Sequence, residues 1–67
     1  MSSVEIDYTN YRGDRAKRTI IPTRLWFGGT DFHPANQWLL DAVDLAKGQS
    51  RTFAMKDIHS WAPAREK

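Results

Sequence analysis

The sequence predicts a mainly β, antiparallel domain, and three runs of residues carry that prediction. Val4, Ile6 and Tyr8 alternate with Glu5, Asp7 and Thr9, the period of two that turns apolar side chains to one face of a strand. From Lys17 to Phe27, β-branched and aromatic residues crowd together, as suits a pleated, half-buried surface. Arg51, Phe53 and Met55 alternate with Thr52 and Ala54, a second run of period two.

The elements follow in order. The first strand ends at Asn10-Tyr11-Arg12-Gly13-Asp14, a turn in which glycine is free to take positive φ. The second strand contains Pro22. Proline donates nothing to a ladder, so this strand lies on an edge or bulges there. Gly28-Gly29-Thr30 ends it, and Asp31 to Asn36 form a loop around His33-Pro34. Gln37 to Leu45 is ambiguous. Leu39, Leu40, Val43 and Ala46 have helical spacing, with Asn36 as a candidate N-cap and Gly48 as the residue past the end. Read as a strand, the same stretch puts Trp38, Leu40 and Ala42 on one face and Leu39 and Val43 on the other. A tight turn at Ala46 to Gln49 leads into the last alternating strand. Lys56-Asp57-Ile58 reads as a helical turn.

Sixty-seven residues make one small domain, expected over residues 1–61 with a frayed tail at 62–67. A chain this short buries only about 60% of its unfolded surface. With no cysteine, neither a disulfide nor a thiolate metal site reinforces it. Packing of the aromatic residues has to hold it together. Ten Lys and Arg against eight Asp and Glu leave a net charge of +2, which permits an anionic partner without demanding one. No long apolar run and no basic-then-apolar leader occurs, so no membrane span, no signal peptide and a cytoplasmic location are expected.

Tyr8 to Gly13, then Arg18, Ile20 and Pro22, then Trp38-Leu39-Leu40, then Arg51-Thr52-Phe53 and Ile58 follow one another in a telling order. From Val4 to Ile58 the chain resembles the WYL domain, a small β-barrel that bacteria use to sense ligands or nucleic acids. Trp38-Leu39-Leu40 stands where that family has its name motif. The run Trp26-Phe27-Gly28 and the His33-Pro34 loop resemble small stand-alone bacterial or phage relatives of the domain. The resemblance implies that Gln37 to Leu45 is a strand, within a strongly bent Sm-like or SH3-like antiparallel β-barrel of about four or five strands. The alternative is an α+β domain with a helix at about residues 36–46.

The resemblance also implies a positively charged ligand site lined by arginines and a tyrosine. Three departures bear on it: Leu39 stands for the tyrosine, Ala54 for one arginine and Asp57 for another. Arg51 alone is kept, with Lys56 close by, so that site is weakened, shifted or lost.

Other constellations have two readings each. Arg12, Arg15, Lys17 and Arg18 suit a phosphate backbone or a solvated hairpin tip. Trp26 and Tyr11 suit base stacking, whereas Trp38 reads as core and Trp61 as a cap or a contact with another chain. Asp31, His33 and His59 lack a recognised ligand spacing, so no metal is expected, and His33-Pro34 reads as a rigid turn. Asp41 and Asp44 fall on opposite faces of a strand and read as edge charges that discourage aggregation. There is no phosphate loop, nucleophile elbow or cysteine nucleophile, and Ser2, Ser3, Ser50 and Ser60 have no paired base nearby. The expected function is therefore non-catalytic and without cofactor: a regulatory binding module for single-stranded nucleic acid or a nucleotide-like anion. Arg18, Arg24, Arg51 and Lys56 would hold the charge, with an aromatic platform at Trp26 or Tyr11. The alternative is a protein-interaction or self-assembly module, with the strand containing Pro22 pairing to a partner chain.

Overall fold

The computed structural model describes residues 3–64. Five strands form one antiparallel sheet: β1 (Val4–Thr9), β2 (Arg15–Gly28), β3 (Gln37–Asp44), β4 (Gln49–Ala54) and β5 (Ile58–Pro63). Their order across the sheet is β4-β3-β2-β1-β5, so β4 and β5 stand at opposite edges and the ladder does not close into a barrel. The ambiguous stretch Gln37–Asp44 is strand, and the helix alternative is overturned. Residues 62–64, expected in a frayed tail, are engaged in the sheet. β5 runs to Pro63, and the Ala64 amide donates to the Ser3 carbonyl at 3.1 Å. The remainder of the expected tail, residues 65–67, lies outside the described residues.

The sheet is strongly curled, and two observations establish it. A one-turn 3₁₀ helix, Met55–Asp57, carries the chain from one edge strand to the other. Five flat strands would put those edges roughly 19 Å apart at about 4.8 Å per strand, and three 3₁₀ residues rise only about 6 Å. The second observation concerns β2, whose fourteen residues would extend about 45 Å if straight. Yet Tyr11 and Phe32, which flank it, meet with ring centroids 4.7 Å apart. The bend falls where the β2–β3 register shifts between Pro22 and Arg24, because an extra residue on one strand kinks it.

Pro22 therefore sits at a bulge, and both sequence expectations for it meet there. β2 is central by strand order, but β1 pairs only with its first part, Arg15 to Ile20, and β3 only with Ile20 to Gly28. From Ile21 onward β2 has a single strand neighbour, so Pro22 leaves no ladder position empty.

Inside the curl, Ile6, Tyr8, Ile20, Leu40, Ala42 and Phe53 form the buried core, with Val4, Met55 and Ile58 packed against it. The Tyr8 and Phe53 rings meet edge to face at 4.9 Å. The Ala54 amide donates to the Tyr8 hydroxyl at 3.0 Å, which ties β4 to β1 across the interior. Burial pushes the Tyr8 phenol up from its ordinary value, and the hydrogen bond from Ala54 opposes that only in part. Tyr8→Phe is expected to leave the Ala54 N–H without an acceptor and cost about 1–3 kcal/mol, measurable by urea denaturation.

Trp38 was expected in the core and is instead 55% exposed, because it lies beyond the last β3–β4 pair, where only Phe27 stands beside it. Asp41 and Asp44 are not edge charges either, since β3 has a neighbour on each side. Asp44 is buried and pairs with Arg18 at 3.0 Å. Its Oδ1 also accepts from the Ala46 amide, and its carbonyl accepts from Lys47 and Gly48. Gly48, at φ 64°, closes that β3–β4 turn.

Candidate functional site

A cleft of about 420 Å³ opens on the concave side of the sheet, within the range of small-ligand sites. Tyr8 and Phe53 lie in its wall, Gln49 to Thr52 of β4 border it, and two connections overhang it. One is the β1–β2 turn. Asn10 builds this turn, its Oδ1 accepting from the amides of Arg12 and Asp14 at 2.9 Å each, and it presents Tyr11 to the cleft. The other is the β2–β3 loop. The Thr30 amide donates to the His33 carbonyl at 2.8 Å, and the His33 amide donates to both the Thr30 carbonyl and the Thr30 Oγ1. Gly29 is required in this loop, since a Cβ there would stand 2.7 Å from the Pro34 carbonyl oxygen. These hydrogen bonds turn the chain over Thr30–His33, just before the rigid turn expected at His33-Pro34, and His33 is buried while Phe32 is 61% exposed.

Three of the six sequence-predicted site residues come together here: Tyr11, Arg18 and Arg51. Phe32 and His33 join them; the sequence marked His33 only as part of a turn, and Phe32 only as an aromatic residue standing in a polar loop. The contributions differ. Tyr11 and Phe32 make a tilted aromatic pair at the rim, and the Arg12 guanidinium lies 5.9 Å from the Tyr11 ring. Arg18 is mostly buried and engaged with Asp44, its Nε without a hydrogen-bond partner. Arg51 is exposed and, among the described residues, has no carboxylate within ion-pair distance.

Arg24, Trp26 and Lys56 lie elsewhere. Arg24 and Trp26 occupy register positions facing Asp41 and Leu39 on the outer face of the sheet. Arg24 stacks on the Trp26 ring at 5.0 Å and pairs with Asp41 at 3.3 Å. Trp26 Nε1 and Thr52 Oγ1 both donate to Asp41 Oδ1, at 3.1 and 2.8 Å. Lys56 is spent on Asp57 beside it at 3.2 Å. The single basic face expected from Arg18, Arg24, Arg51 and Lys56 is therefore divided. The register sets Arg24 beside Asp41 on the outer face and Arg51 beside Ala42 on the inner one, and local carboxylates neutralise Arg24 and Lys56. Leu39 and Ala54, two of the three departures noted in the sequence, are fully buried and add no apolar surface.

Burial alone would raise the Asp41 carboxyl, but the Trp26 and Thr52 hydrogen bonds and the Arg24 charge outweigh it and hold it below its ordinary value of 3.8. A lowered carboxylate contributes stability that is full above the unfolded pKa and lost as pH falls through the folded one. Asp41→Asn is thus expected to be less stable than the parent at pH 7, with the difference closing below about pH 4. Paired thermal melts across that range check it. Asp7 is lowered too, by its hydrogen bond from Arg15 at 2.9 Å, but on an exposed surface.

Among the described residues no group of three or more His, Cys, Asp or Glu stands where it could hold a metal ion. His59 instead shares a 2.8 Å hydrogen bond with Thr9 between β5 and β1. No helix among them is long and apolar enough to cross a membrane. No family model, curated protein or solved structure matches the chain.

Proposed function

We propose that this domain is a non-catalytic binding module that holds an anionic, ring-bearing ligand of nucleotide type in the concave cleft. The observation that carries the reading is the company Arg51 keeps. A cation with no carboxylate partner among the described residues lines the same cleft as the exposed Tyr11–Phe32 pair. A planar ring stacks on such a pair, and a guanidinium pairs a phosphate or carboxylate in bidentate fashion. Asn10, Thr30 and Gln49 supply further polar groups around the cleft. The strand order, the curl and the 3₁₀ link between β4 and β5 support an SH3-like barrel as the finer description of the fold. Together with the WYL resemblance, in which Arg51 matches a site arginine, they support a ligand-sensing regulatory role.

The test is fluorescence anisotropy with labelled mixed-sequence single-stranded DNA and RNA, competed by free mononucleotides, at low and at physiological salt. Arg51→Ala is expected to weaken binding strongly, because the anion loses its guanidinium partner. Tyr11→Ala is expected to weaken it by about 1–3 kcal/mol, the worth of one base stack. Arg24→Ala, on the outer face, is expected to leave affinity unchanged. Equal binding by parent and Arg51→Ala would remove the proposal.

One observation favours a second reading, self-assembly. Leu25, Phe27 and Trp38 stand exposed together near the end of the β2–β3 ladder, with the Phe27 and Trp38 rings 5.4 Å apart, and β2 has one free side there. Under that reading the molecular mass rises with protein concentration and is insensitive to salt.

A further inference from the structure

Among the described residues, five ion pairs engage Arg12, Arg15, Arg18, Arg24 and Lys56 with neighbouring carboxylates. The cations of the described residues left without such a partner are Lys17, Lys47 and Arg51. Their positions are not scattered. Arg51 lines the concave cleft, while Lys17 and Lys47 both line a second, open depression on the other side of Arg18. Arg18 forms part of both walls.

The second depression has a structural origin. β3 stops pairing with β2 at the Ile20–Asp44 step, and the last link beyond it runs from the Leu45 amide to the Thr19 carbonyl at 3.0 Å. From Ala16 to Thr19, β2 is paired on its β1 side only. The β3–β4 turn projects past this notch and carries Lys47. Asp44 also lines the notch, but it is buried and held by Arg18 and the Ala46 amide, so its charge is met within the fold. Asp7, the register partner of Lys17 on β1, is already paired with Arg15.

We propose that the two depressions form one track for a single-stranded nucleic acid, with a base against Tyr11 and Phe32, one phosphate at Arg51, and the following backbone carried past Arg18 to Lys17 and Lys47. This rests on the cleft reading above and deepens it, because a second cationic station is of no use to a mononucleotide. A polymer gains from each added phosphate contact by releasing its counterions, and for single strands each contact contributes about 0.7 to the slope of log affinity against log salt.

The experiment compares a labelled dinucleotide with a labelled oligonucleotide of about ten residues, in both DNA and RNA, over a salt series. The proteins are the parent, a variant with Lys17→Ala and Lys47→Ala, and Arg51→Ala. The lysines are exposed, and thermal melts check that the variants stay folded. The parent is expected to bind the longer strand more tightly and with the steeper salt slope. The double-lysine variant is expected to lose several-fold affinity and about 1.4 of slope for the longer strand and to bind the dinucleotide as the parent does. Arg51→Ala weakens both. If the double-lysine variant binds the longer strand with unchanged affinity and slope, the track is wrong while the cleft reading stands. If the parent binds neither length at low salt, both fall. The DNA and RNA arms decide which backbone the track prefers.

Discussion

Asp44→Ala is expected to destabilise the domain by about 3 kcal/mol, because removing one partner of a largely buried ion pair leaves the other charge uncompensated. Arg18 would keep its place between core and cleft with no anion to meet it. The turn would also lose the acceptor that holds the Ala46 amide. At roughly 0.05–0.15 kcal/mol per residue, a domain of this size has only about 3–10 kcal/mol in total. The melting temperature should therefore fall by well over 10 °C, at about 4–8 °C per kcal/mol. Adding Arg18→Met to Asp44→Ala is expected to recover more than half of the loss, since no orphaned charge remains. Denaturation of the two single variants and the double variant gives the coupling directly. A single variant that melts within a degree or two of the parent would show the pair to be dispensable.

Phe53→Ala is expected to do more damage, about 3–5 kcal/mol. Phe53 is buried against Tyr8, and it sits at the place where the curled sheet brings β4 over β1. Truncation opens a cavity that a single thin core cannot refill, and it loosens the Tyr8 hydroxyl that meets the Ala54 amide. Most molecules should then be unfolded at 37 °C, seen as collapse of amide dispersion in an NMR spectrum. Retention of a dispersed spectrum with near-parental thermal stability would mean that the core is held mainly by its aliphatic residues.

The strands were legible where one face is wet. Val4, Ile6 and Tyr8 alternate visibly because β1 exposes Glu5 on its outer side. β3 was not legible in that way, and the reason is physical. Leu39 on its outer face and Leu40 and Ala42 on its inner face are all buried. A strand covered on both faces loses its period of two, and its run of apolar residues imitates a helix. The site was half legible. Tyr11, Arg18 and Arg51 meet as the sequence suggested. Arg24 was drawn away by a register that pairs it with Asp41, which only the ladder reveals. The neutralisation of Lys56 by its neighbour Asp57 could have been read directly from adjacency. Phe32 and His33 reach the cleft only because β2 curls, and Pro22 marked where the strand bulges but not how far it bends.

The pairing of β5 with β1 has a bearing on how the chain acquires its structure. The strand completing one side of β1 is the last of the five to be made, and β1 precedes the other four. Until it arrives, β1 exposes a free edge, and the hydrogen bond from Ala64 to Ser3 cannot form. Joining contacts so distant along the chain slows folding and prolongs the exposure of sticky edges. During synthesis the domain should behave as a nearly finished sheet waiting for its final strand, and a nascent chain stalled before Ile58 should be the aggregation-prone species.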